Sequence, residues 1–465
     1  GARSAAAHSR ARGMTQLFAL HSAYGLATVA AALDGDLLGD HGERILVPFV
    51  SSRVPETTVG IAVDPALASL RGRFDRVEDL DALIGPLHPS SWKPDAADLP
   101  LLRRLLTRAW GIDVSDLELL LQSPQVAPAS TLMQLFPHAR ITIVGDGLMT
   151  YSPMRIAMPH TVTARIGRVV HADVVPGVTP LVGSPTATPV PVPPALFGAV
   201  LVETADAVDD AVELESALGG EPTVLVLGQY LAALGLVTES EEVAMQKQMI
   251  DRAARFGPTH IVFKPHPSAP PRLADALRER AAVHGIVLRE YRGALAAEVL
   301  AERIDARAVI AGFSTALPTV RALFGREIDA VGADTVLARL TPYENSNRVP
   351  ATIVDVLTRP GSPYREPERM QLLIDAVGYA MQPVVAGHLR PRAEELLAGL
   401  DEIDRDRYFA PERLAELRLP GAPEETAVRR VLRPAGGIGR VEEVRLTALG
   451  ARRRIGRAWR ALRGR

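Results

Sequence analysis

With 465 residues, 47% of them hydrophobic and 23% charged, the chain has material for two or three domains with sizeable cores, which excludes a stapled mini-protein, a disordered chain and a polytopic membrane protein. It contains no cysteine, so disulfides, thiolate nucleophiles, Cys-ligated zinc and iron–sulfur clusters are excluded and a cytoplasmic setting is expected. The net charge of −2 hides an asymmetry: the last fourteen residues hold seven arginines and no acid, leaving −9 on the rest, which argues against nucleic acid as a partner of the body and for an anionic surface meeting the tail.

Residues 1–13 are set apart as a tag or unstructured start, since they carry arginines but no apolar segment of the secretory kind. From Met14 the hydrophobic pattern predicts a strand at Thr15 to Leu20, a helix at Gly25 to Leu33 and a strand at Arg44 to Val50. This β–α–β order implies a parallel sheet. Helical spacing returns at Leu99 to Trp110 and at Ser130 to Phe136, each time followed by a short apolar strand, the second being Arg140 to Val144. Residues 14–175 are therefore expected to form one Rossmann-like domain.

Seven prolines fall between Pro176 and Pro194, a density that forbids helix and central strand, so residues 176–198 are expected to be a stiff linker. The alternation then restarts with strand Thr223 to Leu227, helix Glu239 to Arg255, strand His260 to Lys264, helix Arg272 to His284, strand Gly285 to Arg289, helix Ala294 to Arg303, strand Ala308 to Ala311 and a helix from Thr315. Residues 199–385 form the expected second doubly wound α/β domain, and 386–465 a helical extension ending in a basic amphipathic tail. Along that tail Ala448, Ile455, Trp459 and Leu462 share one helical face among arginines, a pattern suited to lying on an anionic membrane. A basic end that binds a partner is the plainer alternative. The chain shows no internal repeat and no run of about 18 apolar residues that would span a bilayer.

The sequence lacks GxxxxGK[ST], a GxGxxG behind a strand, HExxH and the kinase set, so classical NTPase and dinucleotide chemistry falls away. Asp34-Gly-Asp36 and Asp404-Arg-Asp406 have the D-x-D form of a metal site, yet neither follows an apolar strand, and no metal is expected. Three other places stand at carboxyl ends of predicted strands, where open α/β sheets bind ligands. Asp146-Gly147 closes Arg140 to Val144, with Tyr151-Ser152-Pro153 behind it, and offers a base for a hydroxyl; a plain D-G turn is the alternative. Lys264-Pro265-His266-Pro267 closes His260 to Lys264, and its prolines would fix a lysine and an imidazole toward a phosphate; a proline-ended loop with a solvated histidine is the alternative. Ser314-Thr315 opens a helix whose first N–H groups form a ready phosphate site, or serves as an ordinary N-cap. Gly228-Gln229-Tyr230 has the same address in the second domain and either approaches a ligand by backbone or forms a simple turn. His21 and Ser22, with Arg155, His160 and Arg168, are acceptor-side candidates, and Asn345, Asn347 and Arg348 form a candidate ligand loop.

The ordered set D-G, H-P and S-T resembles the acidic, H-P and S-S/T motifs of bacterial sialyltransferases, and more closely the α-2,8-polysialyltransferase-like proteins of actinobacteria. The runs VLVLGQYLAALGLVTE (224–239), IVFKPHPSAPP (261–271) and YENSNR (343–348) are similar to that group, and the resemblance spans most of residues 14–390. It implies a GT-B fold, two Rossmann-like halves facing across a cleft. It also implies inverting, metal-independent transfer of a sialic-acid-like sugar from a CMP donor to an acceptor glycan or glycolipid of the envelope, and the basic tail adds the expectation of a place on the inner face of the plasma membrane. In that frame His266 is the acid and phosphate contact, with Lys264, Ser314, Thr315, Gly228 and Gln229 on the donor side; His21, Ser22 and Arg155 are on the acceptor side. The acidic motif departs from the family at its first position, Gly145, leaving Asp146 as the base candidate. Two other readings stay open: a GT-B transferase or epimerase using a UDP-sugar, and a catalytically degenerate nucleotide-binding scaffold.

Overall fold

Two parallel sheets organise the chain, and both carry the doubly wound order. In the computed structural model, which describes residues 13–39, 42–51, 59–205, 211–229, 231–233, 235–266 and 273–423, the first sheet comprises β1 (Thr15–Leu20), β2 (Arg44–Pro48), β3 (Arg76–Val77), β4 (Leu117–Gln122), β5 (Arg140–Val144), β6 (Ile166–Ala172) and β7 (Thr188–Val192) in the spatial order β3-β2-β1-β4-β5-β6-β7. The second comprises β8 (Thr223–Leu227), β9 (His260–Lys264), β10 (Val287–Glu290), β11 (Ala308–Ala311) and β12 (Glu327–Ala330) in the order β10-β9-β8-β11-β12. Every pairing is parallel. Strands β1, β4 and β8 are buried along their whole length, as sheets covered by helices on both faces require. The order reverses between β1 and β4 and between β8 and β11, and crevices for ligands open at such switch points.

The proline-rich stretch departs from expectation. Instead of a free linker, residues 176–198 supply β7, which pairs with β6 from Arg168↔Thr188 to Ala172↔Val192, and the start of the helix Pro194–Ala205. Pro189 and Pro191 lack N–H groups, but β7 has a neighbour on one side only, so an edge strand tolerates them. That helix then joins the halves: Phe197 stacks on Tyr24 of the helix Ala23–Asp34, ring centres 4.9 Å apart. Gly198 faces Leu323 and Phe324 of the second half.

The C-terminal helices are likewise part of the body. The helix Pro367–Met381 lies against the β6–β7 loop, where Gln371 Oε1 accepts the Thr179 N–H at 2.6 Å. Leu181 covers Gly378 so closely that a Cβ there would stand 2.4 Å from the leucine methyl. Residues up to Gly421 belong to one compact unit, so the expected boundary at 386 is not a boundary: helices Arg390–Gly399, Glu402–Tyr408 and Pro411–Leu417 continue the packing. Residues 1–12 and the basic tail lie outside the described residues.

Near the amino ends of its strands the first sheet carries a polar cluster. Buried Glu118 on β4 accepts from Gln16 of β1 (3.0 Å), Thr142 of β5 (2.5 Å) and Arg168 of β6 (2.7 Å). The network stitches four strands together and leaves Arg168 no part in a ligand site. Among the described residues no helix is long and apolar enough to cross a membrane.

Candidate active site

In the first half the site is built at the carboxyl ends of β1, β4 and β5. Ser22 caps the helix Ala23–Asp34 by accepting the Gly25 N–H (3.0 Å), and receives Gln122 Nε2 at 2.7 Å. Gln122 Oε1 in turn accepts the N–H groups of His21 (3.1 Å) and Ser22 (3.3 Å). A Cβ on Gly25 would fall 2.6 Å from that amide, so any larger residue there would displace Gln122 from its bonds to the turn. Ser22 is thus committed to shaping the turn, whereas the imidazole of His21 reaches Ser123 and Ser51 and packs on Phe49. Burial holds the His21 pKa below its ordinary value, partly offset by the charge of Asp146.

Asp146 is half-buried at the head of the turn Gly147–Tyr151, and its side chain makes no capping bond to that turn. Its backbone N–H is held by Thr150 Oγ1 at 2.8 Å. The carboxylate lies at a cavity of about 450 Å³ lined also by Ser123, Gly145, Met149, Met154 and Arg155. Gly145 is where the acidic motif loses its first carboxylate, and the surroundings have closed over the space: a Cβ there would meet Thr150 Oγ1 at 2.6 Å and His171 Cβ at 2.9 Å. His171 beneath it is buried, and burial lowers its pKa to about 4, so it is neutral at pH 7.

The second half presents its groups at the ends of β9, β8 and β11, three adjacent strands. Gly228 N–H donates to the Lys264 carbonyl (2.8 Å), and a Cβ on Gly228 would sit 2.8 Å from the Phe263 ring and 3.1 Å from the Pro265 backbone. Gln229 Oε1 accepts the Phe313 N–H and so links the β8 loop to the β11 loop. Buried Glu242 fixes the same loop by accepting from Leu231 (2.9 Å) and Ala232 (3.0 Å). Lys264 Nζ is turned to the Gly293 carbonyl (3.0 Å) and lies 4.8 Å above the Tyr291 ring, which makes it a strut of the loop that carries exposed His266. Ser314 Oγ accepts the Ala316 N–H (3.2 Å), while Thr315, exposed at the N-cap of the helix Ala316–Phe324, makes no side-chain cap bond. Tyr230 and Pro267 lie outside the described residues.

Contacts across the halves join the candidates Ser152 and Arg155 to Ser346 of the YENSNR run, and add Tyr24 and Glu298, which no motif marks. Ser346 accepts the Ser152 hydroxyl on its carbonyl (3.0 Å) and the Arg155 guanidinium on its Oγ (2.5 Å). Tyr24 is half-buried with its hydroxyl enclosed, beside Asp146 and Tyr151 of its own half and Glu298 of the other; desolvation above all, with those charges, holds its phenol well above the usual range. Glu298, in the first turn of the helix Ala297–Arg303, has its pKa raised by desolvation, with Lys264 opposing. No local pattern marks Tyr24 or Glu298, because their partners lie far away in sequence.

Several candidates are placed elsewhere. Arg348 is buried, stacked on Tyr343 at 4.0 Å and bonded to the carbonyls of Leu337, Leu340 and Tyr343, so it props the loop from inside. Asn345 Oδ1 accepts the Asn347 N–H within that loop (3.0 Å). His160 is exposed at the start of the short helix His160–Thr163. The D-x-D aspartates Asp34 and Asp404 are paired with Arg73 (2.7 Å) and Arg359 (2.9 Å).

Solved structures similar to the chain include a glycosyltransferase from Rickettsia africae (10% identity, 87% of this chain and 97% of that one, TM-score 0.38). A UDP-GlcNAc 2-epimerase from Neisseria meningitidis matches at 11% identity over 81% and 93% of the two chains, TM-score 0.40. A UDP-glucosyltransferase from Polygonum tinctorium matches at 13% over 83% and 98%, TM-score 0.39. Likeness at this level adds nothing to the topology read from the strands themselves. Among curated proteins nothing matches the sequence. The family model Alpha-2,8-polysialyltransferase matches residues 16–327, a span that begins in β1, takes in Asp146, His266, Ser314 and Thr315, and ends at β12. The match covers well over half of the 465 residues, and the chain therefore belongs to the alpha-2,8-polysialyltransferase family and is a glycosyltransferase.

Proposed function

We propose that the protein transfers a sialic-acid-like, nonulosonic sugar from a CMP donor to a hydroxyl of an envelope glycan or glycolipid, with inversion at the anomeric carbon and without a metal. The observation that carries this reading is where the motif residues stand: at the carboxyl end of β5 a cavity lined, among the described residues, by one carboxylate, Asp146, and in the second half His266, Ser314 and Thr315 at the carboxyl ends of β9 and β11.

A tertiary anomeric carbon bearing a carboxylate reacts through an oxocarbenium-like state, so it needs a departing group made stable and one base, not a nucleophilic side chain. Asp146 takes the acceptor's proton as the acceptor oxygen bonds the anomeric carbon. The bond to the phosphate breaks with its electron pair on the phosphate oxygen, where His266 donates. The exposed Thr315 hydroxyl and the N-terminal N–H groups of the helix Ala316–Phe324 receive the same charge. Gly228 and Gln229 shape the floor of this site, and Lys264 acts through the loop it braces. His21 and Arg155 border the acceptor. The C-terminal tail would hold the enzyme at an anionic membrane, where lipid-carried acceptors lie.

Calorimetry with CMP and UDP on the wild type and on His266→Ala tests the donor assignment. The expected result is CMP binding at least about tenfold tighter than UDP, one step of roughly 1.4 kcal/mol, with CMP weakened in the variant. Preference for UDP sinks the CMP donor and favours another nucleotide sugar; binding of neither favours a scaffold.

A further inference from the structure

Four adjacent strands of the first sheet, β2, β1, β4 and β5, are followed at their carboxyl ends by Ser51, His21, Ser123 and Asp146 in that spatial order. Ser51 Oγ lies 3.2 Å from His21 Nδ1, and Ser123 Oγ 2.9 Å from His21 Nε2. Ser51 is exposed to solvent at one end, and Ser123 lines the Asp146 cavity at the other. The backbone of Ser123 has φ 53°, a left-handed conformation uncommon for a serine. The His21 ring is not needed to close the turn, because Gln122 holds its backbone N–H. Among the described residues the charged group acting on the ring is Asp146, and burial keeps the imidazole neutral near pH 7.

We propose that Ser123, His21 and Ser51 form a proton wire that drains the acceptor's proton from the Asp146 cavity to solvent. The proposal rests on the reading of the site as one that transfers a sugar to a hydroxyl. An acceptor seated in the cavity covers Asp146, so the proton it has taken needs a way out through the sheet edge. Asp146 hands its proton across the cavity to Ser123 Oγ, and the proton of Ser123 passes to His21 Nε2. The proton on Nδ1 moves to Ser51 Oγ, and that of Ser51 goes to water. One proton has moved, Asp146 is again a carboxylate and the imidazole has exchanged tautomers; once the product leaves and water re-enters the cavity, Nδ1 regains a proton from solvent through Ser51 and Nε2 loses its own through Ser123 to the cavity water, which restores the starting tautomer. A neutral imidazole between two hydroxyls suits this, since each member both donates and accepts.

The test uses the full chain and compares kcat, donor KM and CMP affinity for the wild type, Ser123→Ala, Ser51→Ala and His21→Ala, the last with and without added imidazole. His21→Ala and Ser123→Ala should lose about ten- to a hundredfold in kcat, at or below the usual range for acid–base groups, with donor KM and CMP affinity unchanged. Imidazole should restore part of the loss in His21→Ala, and Ser51→Ala should lose least because water replaces an exposed hydroxyl. A kcat within twofold of wild type for both His21→Ala and Ser123→Ala overturns the wire. So does a loss in His21→Ala that imidazole does not relieve and that a lowered melting temperature accompanies. A wild type that turns over a UDP-sugar instead of a CMP-sugar overturns the donor assignment and leaves the wire to the same comparison; one that transfers no sugar from any nucleotide overturns both.

Discussion

The two ends of the first sheet place polar residues among buried strands for opposite purposes. At the amino end Glu118 is enclosed by Gln16, Thr142 and Arg168, so its charge is fully engaged by protein. At the carboxyl end Asp146 faces a cavity with no capping bond to its own turn. Desolvation explains the contrast: a buried carboxylate persists only when paired, whereas one left facing a cavity is available to a ligand. One end therefore answers to stability and the other to activity, and substitutions at each should separate the two quantities.

The sharpest separation is Asp146→Asn. Removing the base should lower kcat by about a hundred- to ten-thousandfold, the contribution expected of a positioned general base, while thermal unfolding stays that of the wild type. A fall in both would erase the distinction between the two ends. Glu118→Ala should do the reverse. It strands Arg168 and two further donors, and breaking one partner out of a buried pair costs about 3 kcal/mol here, the low end because Arg168 remains partly exposed. Urea midpoints measure it, and donor affinity of the folded fraction should not move.

His171, on β6 just below Gly145, extends the comparison to pH. Its pKa is lowered by burial to about 4, so between pH 6.5 and 4 the unfolded chain binds a proton that the folded chain refuses, and stability falls as pH falls through that window. The loss should reach about 3 kcal/mol at pH 4 and level off below it. A His171→Phe variant lacks this component, and the difference between the two stability–pH curves reads it directly. The smallest effect is expected for Gly145→Ala. The new methyl collides with Thr150 and His171, an overpacking cost of about 1–3 kcal/mol, partly relieved in the Gly145→Ala, Thr150→Ala double variant. An unstrained single variant would mean that the site still has room for a second carboxylate.

The central strands were legible because they are buried on both faces and read as continuous apolar runs: Thr15–Leu20, Arg140–Val144, Thr223–Leu227, His260–Lys264 and Ala308–Ala311 sit where the hydrophobic pattern predicts. The edges were not. Strands β3, β7 and β12 have one neighbour each, and an exposed side admits the prolines of TPVPV and the acids of EIDA, which mimic a linker or a loop. Of the site, the strand-end dipeptides could be found because parallel strands deliver ligands to their carboxyl ends. Ser22 and Lys264 share that address yet turned out to serve the loops, since an address does not say which neighbour a side chain will meet.

The sequence by itself determined the alternation that makes two doubly wound sheets, the carboxyl-end positions of Asp146, His266 and Ser314-Thr315, and the motif set that places the chain in its family. These follow from local periodicity and from short strings whose meaning depends on a few neighbouring residues. Tertiary structure alone decided that Gln122 closes the His21 turn, that Ser123 and Ser51 bracket the imidazole, that Thr150 and His171 fill the space beside Gly145, and that Ser346 reaches Arg155 across the halves. Each of these joins groups brought together only when the strands pair and the helices dock, and a contact between distant residues has no signature in the local pattern of either partner.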